Sequence, residues 1–340
     1  MATDAPAMPE ASLAAKPFLK WAGGKTQLIP ELARFLPERP DGTYFEPFMG
    51  SAALFFYLRR ERGWRKAALS DTNAELVSTF LAVRDSPQAL LEALLEHHHM
   101  HNVVYRDSED KRREYFEAVR SLDRRPDWMP EVPADAQARV LKAARFIYLN
   151  RTCFNGLWRV NRKGQFNVPV GRYSNPAIHN PSLILEASAA LQGVDMTCTP
   201  YPHVLGTSAA GDTIYFDPPY VPLSVTSSFA AYSRDEFGTA EHKKLAVLST
   251  LLALGGRRVL LSNSDTPFTR SPLDFSSDRE IEDLLQELEA EGTSPQSLRE
   301  AYRDFWNVET VRANRRINSV AESRGDITEI VVHNKADQEL

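Results

Sequence analysis

Cysteine is nearly absent: the 340 residues hold two, Cys153 and Cys198. Two thiols build neither a disulfide framework nor a cysteine-rich zinc centre, and they suit a reducing cytosol. Also missing is any apolar run near the roughly 20 residues that span a bilayer. The longest candidate, Leu245 to Leu254, is interrupted by Ser249 and Thr250. There is no internal repeat and no long low-complexity tract. Residues 1–15 contain Asp4 and Glu10 but neither Lys nor Arg, so they read as a flexible Ala/Pro arm and not as a secretory signal. An excess of basic charge is missing too. The 40 Lys and Arg are outnumbered by 45 Asp and Glu, and this balance alone argues against a nucleic-acid partner.

What is present is an ordinary globular composition, 43% hydrophobic and 25% charged, which excludes wholesale disorder and fibrous repeats. The length fits two domains or one large domain with an insertion. Short apolar runs at Thr43–Phe48, Lys66–Asp71, Asp212–Asp217, Arg257–Ser262 and Asp326–His333 predict strands. Helical spacing marks Leu28–Phe35, Ala53–Arg60, Ala74–Arg84 and Glu241–Ala253. The alternation predicts an α/β fold, whose ligands bind beyond the carboxyl ends of its strands. From Ser86 to Asn180 helical patterns dominate, at Pro87–His101, Lys111–Leu122 and Ala134–Asn150. This segment, residues 86–180, is expected to be an inserted, mostly helical domain within a catalytic domain of residues 16–85 and 181–340.

Local charge says more than the total. Between Arg139 and Arg172 there are eight basic residues (Arg139, Lys142, Arg145, Arg151, Arg159, Arg162, Lys163 and Arg172) and no acid. Phe154, Trp158, Phe166 and Tyr173 lie among them, a mixture suited to phosphate contact and base reading. Asp278–Glu291 is the reverse, with seven acids and one Arg. Ile281, Leu284, Leu285 and Leu288 share one helical face there, so an acidic, solvated amphipathic insertion is expected near 274–305.

The sharpest motif is Ile214-Tyr215-Phe216-Asp217-Pro218-Pro219-Tyr220. An apolar strand delivers Asp217 to its carboxyl end. Pro219 holds Pro218 extended, which leaves the Pro218 carbonyl free beside the carboxylate. Two adjacent acceptors match an exocyclic NH₂ group, and Tyr220 offers a face for a planar base. A second motif, Phe18-Leu19-Lys20-Trp21-Ala22-Gly23-Gly24-Lys25-Thr26, invites a phosphate-loop reading. That loop needs Gly five residues before Gly24, where the chain has Leu19. A third, Tyr44 to Ala52, runs from a strand through Gly50-Ser51 into a helix. The next strand ends at Asp71, placed to hold ribose hydroxyls or to cap the following helix.

Together these segments resemble the DNA adenine-N6 methyltransferases of the Dam type, the D12 class. The resemblance runs from about Pro17 to Asn334. Its anchors are Phe18–Lys25, Glu46-Pro47-Phe48-Met49-Gly50, Ser70-Asp71-Thr72-Asn73 and Asp217-Pro218-Pro219-Tyr220. Leu149-Asn150-Arg151 through Phe154–Leu157, then Gly164–Tyr173, is similar to that family's DNA-reading hairpin, near 151–173. The resemblance implies a Rossmann-like, seven-stranded S-adenosylmethionine-dependent methyltransferase with a helical recognition domain. It implies cofactor contacts at Trp21, Lys25, Gly50, Asp71, Tyr201 and Asp217, and catalysis by Asp217, Pro218 and Tyr220. Arg151, Asn155, Arg159 and Asn161 become candidates for base edges, and Arg162, Lys163, Arg172 and Tyr173 for DNA contact. The expected substrate is a flipped adenine in duplex DNA, in a GATC-like site, with no metal required. One departure is Ala52, where family members usually carry a second Gly. A bacterial cytoplasm or a phage origin fits, as does a monomer beside a restriction nuclease or defence component.

Two rival readings stand at this point. The chain could methylate cytosine N4 or an RNA amine, or it could be a DNA-binding module without catalysis. His97 and His101, four apart on an expected helix, could reach one metal, but no carboxylate motif accompanies them.

Overall fold

Strands and helices alternate through the residues that the computed structural model describes: 14–21, 25, 28–221, 237–290, 292–314 and 326–334. Most of the N-terminal arm, Gly23, Gly24 and Thr26 of the second motif, and Glu291 of the acidic run lie outside them. The strands are β1 (Tyr44–Glu46), β2 (Ala67–Ser70), β3 (Val194–Thr197), β4 (Thr213–Phe216), β5 (Arg258–Ser264), β6 (Trp306–Asn314) and β7 (Asp326–Asn334). They form one seven-stranded sheet in the order β3-β2-β1-β4-β5-β7-β6. The helices are α1 (Ile29–Ala33), α2 (Ala53–Arg62), α3 (Ala74–Asp85), α4 (Pro87–His98), α5 (Glu109–Arg120) and α6 (Ala136–Thr152). They continue as α7 (Pro181–Leu191), α8 (Val204–Thr207), α9 (Thr239–Leu254), α10 (Pro267–Arg270), α11 (Asp278–Glu287) and α12 (Pro295–Phe305).

The chain divides into two compact units. The first comprises Met1–Lys25, Met49–Arg65 and Leu69–Thr199, so the helical segment groups with α2, α3, α7 and β3. Its central element is α6. Every residue from Lys142 to Asn150 is buried, so this helix is surrounded by protein and not laid on a surface. Its polar side chains must then find partners inside. Arg145 donates to Glu75 Oε2 at 2.8 Å and pairs with Asp123 Oδ2 at 2.7 Å. Lys142 Nζ donates to the Met129 and Glu131 carbonyls. Helix starts carry the expected caps: Asn73 for α3, Ser108 for α5, Asp135 for α6 and Asn180 for α7.

The second unit comprises Thr26–Phe48, Lys66–Ala68 and Pro200–Leu340. Here β1, β4 and β5 run parallel, with Phe45 beside Ile214 and Ile214 beside Val259. All four residues of β4 are buried, as a strand covered on both faces requires. β7 pairs antiparallel with both β5 and β6, and places Glu329 opposite Ser264. Ile214, Phe216, Leu248, Val259 and Ile330 form the core with α9. The acidic segment forms α11, which buries Ile281 and Leu285, and α12, which buries Leu298 and Tyr302. Its apolar face is therefore part of this core. Glu280 and Glu287 turn outward to pair with Lys243 and Lys244 of α9.

Candidate active site and DNA interface

In the first unit, the turn before α2 and the end of β2 are tied together. Gly50 has φ +45° and donates its N–H to Asp71 Oδ2 at 3.2 Å. A Cβ on Gly50 would sit 2.8 Å from the Trp21 indole nitrogen, so both dihedral and space demand glycine. Trp21 in turn stacks on Phe146, with centroids 6.3 Å apart. Lys25 is buried. Asn73 N donates to Asp71 Oδ1 at 2.9 Å. Burial pushes the Asp71 carboxyl above the ordinary carboxylate range, and N–H groups of Asn73, Gly50 and Thr72 pull it back in part. The helix cap is Asn73, whose side chain accepts from Glu75 N and Leu76 N. Asp71 is thereby relieved of the capping role. Each of its oxygens keeps a lone pair for a hydroxyl. A bare glycine turn beside such an acid fits the sugar of a nucleoside cofactor.

The hairpin belongs to the same unit. Cys153 bridges Val170, and Val160 bridges Phe166. Its root grips the second motif. Asn150 is fully buried, accepts from Lys20 N at 2.9 Å and donates to Lys20 O at 2.7 Å and Gly156 O at 3.0 Å. Gly156 leaves room for the Lys20 stem, which a Cβ would meet at 2.5 Å. Lys20 Nζ lies 4.1 Å from the centre of the Tyr173 ring.

Two candidates for base edges have other engagements. Arg151 is half-buried and donates to the Phe18 carbonyl at 2.6 Å. Asn161 builds the hairpin turn: its oxygen accepts from Lys163 N and Gln165 N, and its amide donates to Gln165 Oε1. Asn155 is exposed at φ +55°. Arg159 is exposed and donates to Asn167 Oδ1 at 2.7 Å. Arg162, Lys163 and Arg172 are exposed. Of the eight basic residues, then, Lys142 and Arg145 are buried, and Arg139 and Arg151 are half-buried with donations to backbone carbonyls. The outward cations are the four of the hairpin.

In the second unit, β4 ends at Asp217, half-buried, followed by buried Pro218 and half-buried Tyr220. The Tyr220 hydroxyl donates to Glu329 Oε2 at 2.9 Å. Next in the chain, Val221 donates its N–H to Asn263 Oδ1 at 3.3 Å, and its carbonyl accepts from Ser264 Oγ at 2.8 Å. Tyr201 is buried, stacks on Phe48 at 5.2 Å and donates to Glu241 Oε2 at 2.8 Å. Because β1 and β4 are parallel neighbours, Phe48 and Asp217 emerge at the same edge. The Phe48 ring lies 6.3 Å from that of Phe216.

Residues 21–287 match the family described as D12 class N6 adenine-specific DNA methyltransferase. The chain belongs to that family. It is 35% identical to the type II methyltransferase M1.LlaDCHI of Lactococcus lactis subsp. cremoris, over 94% of this chain and 95% of that one. It is 38% identical to the type II methyltransferase M.MjaIII of Methanocaldococcus jannaschii, over 73% and 84%. The DNA adenine methylase of Serratia marcescens is 32% identical, over 74% and 85%.

The methyltransferase therefore acts on N6 of adenine in DNA, which removes the cytosine, RNA and non-catalytic readings. Enzymes of this kind take the methyl group from S-adenosylmethionine. No described helix of the methyltransferase is long and apolar enough to cross a membrane. Its paired histidines are part of a ring cluster. His97 Nδ1 meets Tyr115 OH at 2.8 Å, and His101 Nδ1 meets Tyr148 OH at 3.0 Å. Glu329, Asn263 and Ser264 around the Asp217–Tyr220 segment escaped the reading of its sequence. The signal for Asn263 and Ser264 was their place at the carboxyl end of a parallel strand; Glu329, inside an antiparallel strand, had none.

Proposed function

We propose that this methyltransferase modifies a flipped adenine within a GATC-like duplex site, with Asp217, Pro218 and Tyr220 as its catalytic residues. The observation that carries the reading is the end of β4: an acid, an extended proline carbonyl and an aromatic ring whose hydroxyl is already held. S-adenosylmethionine, when bound, supplies an electrophilic methyl group. The adenine amine is a poor nucleophile, because its lone pair is delocalised into the ring. Asp217 and the Pro218 carbonyl accept its two N–H bonds and favour a pyramidal nitrogen whose lone pair faces outward. Positioning and electrostatics therefore supply most of the acceleration. Asp217 also lies where the nitrogen sheds a proton once it is methylated. Extrusion of the base costs a few kcal/mol. Stacking on Tyr220 offsets roughly 1–3 kcal/mol of it.

In this reading Trp21, Lys25, Gly50, Asp71 and Tyr201 line the cofactor's place, and Asp71 takes the ribose hydroxyls. The support is the Gly50–Asp71 hydrogen bond and the seat of Trp21 over Gly50. The exposed hairpin cations Arg159, Arg162, Lys163 and Arg172, with Asn155 and Tyr173, meet the DNA. Arg151 and Asn161 shape that surface from behind. A GATC-like site is supported by the similarity of the hairpin to the Dam type. The type II relatives support a monomer that protects DNA beside a cognate restriction nuclease.

Asp217→Ala is expected to lower the methylation rate by at least about 10²–10³-fold, the cost of losing one such acceptor, while duplex binding is largely kept. Near-normal methylation by this variant sinks the assignment. Long-read detection of modified bases, after expression in a methylation-free host, reads the site itself. N6-methyladenine outside GATC-like contexts overturns the sequence preference alone.

A further inference from the structure

The Asp217–Tyr220 segment is braced from the two strands beyond β4. β5 holds the Val221 backbone at both ends, through Asn263 Oδ1 and Ser264 Oγ. Directly opposite Ser264 in the β5–β7 register stands Glu329, 5% exposed, whose carboxylate accepts the Tyr220 hydroxyl at 2.9 Å. A carboxylate on the interior of a sheet is costly unless it is hydrogen-bonded, so its presence calls for a reason. The surrounding residues of β7 (Ile330, Val331 and Val332) are apolar and buried, as the strand alone would favour.

We propose that Glu329 is a positioning residue for methyl transfer: it fixes the Tyr220 ring, through the hydroxyl, as the platform for the extruded adenine. This rests on the reading of Tyr220 as the stacking face. A tyrosine ring swings about two side-chain bonds. With the backbone after it pinned by β5 and the hydroxyl pinned by β7, both freedoms are removed before a base arrives. The choice of a carboxylate adds an electronic effect. A phenol that donates to an anionic acceptor has a more electron-rich ring. The adenine gains positive charge as its amine takes the methyl, so the ring favours the reacting base over the resting one. Loss of Glu329 should then fall on the rate of transfer more than on DNA affinity.

The test is single-turnover methylation of a short duplex at saturating enzyme, with Tyr220→Phe, Glu329→Ala, Glu329→Gln and the Phe/Ala double variant. Melting temperature and S-adenosylmethionine affinity serve as folding controls. Tyr220→Phe and Glu329→Ala are each expected to slow transfer about ten- to a hundredfold, the scale of one charge-assisted hydrogen bond. Duplex affinity should change little. The double variant should be no slower than the slower single, because both remove one interaction. Glu329→Gln keeps an acceptor and should recover most of the rate. Additive losses overturn the proposal, as does wild-type transfer by Tyr220→Phe. The latter result stands even if Glu329→Ala does not fold. Tyr220→Ala separates the two layers. If it transfers at the wild-type rate, the platform reading itself falls. If it is slow while Tyr220→Phe and both Glu329 variants are normal, only the role of Glu329 falls.

Discussion

Ala52 sits in the left-handed region, φ 52° and ψ 38°, fully buried at the start of α2. That conformation costs an L-residue roughly 1–2 kcal/mol, and glycine nearly nothing. The departure from the family's usual second glycine is thus a small, local strain in a turn whose first glycine is indispensable. Ala52→Gly should relieve it, less the extra freedom glycine gives the unfolded chain. The expected net gain is about 0.5–1 kcal/mol, a rise in melting temperature of about 1–3 °C by calorimetry. An unchanged or lower melting temperature would refute the strain. At this scale the sequence was readable where one residue type has one use, as with Gly50 and Asp71. It was mute where a side chain serves partners far along the chain. Asn150 was visible only as part of a motif, yet it clamps Lys20 from 130 positions away.

Among the elements, the strands announced themselves because central parallel strands are apolar throughout, and β4 is the clearest case. β6 did not. Its sequence, Trp-Asn-Val-Glu-Thr-Val-Arg-Ala-Asn, has no apolar run, and it becomes a strand by pairing with β7 along its length. The most misleading element was α6. Its cations seemed to continue a DNA-facing surface, but a helix buried on every side sends them to Glu75, Asp123 and backbone carbonyls. Two kinds of cation should therefore respond differently. Changing Arg159, Arg162, Lys163 and Arg172 to Gln one at a time should weaken duplex binding. Each DNA phosphate that is no longer neutralised should flatten the log-log salt dependence by about 0.9. Arg145→Met should leave that slope alone and destabilise the protein by about 3–5 kcal/mol, since two buried carboxylates are left without their cation. Titrations against salt and denaturant decide between them, and a salt slope unmoved by all four hairpin changes removes the hairpin from the DNA surface.

For the molecule as a whole, a net charge of −5 conceals both an outward basic hairpin and an inward set of charges whose protonation governs stability. His101 and His242 are buried, His97 is half-buried, and burial holds all three at about 4. In the unfolded chain a histidine titrates near 6.5. Between those values the unfolded state binds more protons, so folding is favoured fully above about pH 6.5 and loses ground as pH falls toward 4. The buried Asp71 and Glu75 carboxyls, both raised, work in the opposite sense, but near their own lower range. The upper part of the window, between about pH 6.5 and 5, therefore belongs to the histidines. There, denaturant midpoints should fall with pH, with a slope approaching about 1 kcal/mol per unit for each fully buried ring. His101→Gln, which can still meet the Tyr148 hydroxyl, should reduce that slope without abolishing the fold at pH 7.5. If the midpoint is flat from pH 6.5 to 5 in the parent protein, or the slope is the same in the variant, the buried neutral histidine at position 101 is not what makes acid destabilising.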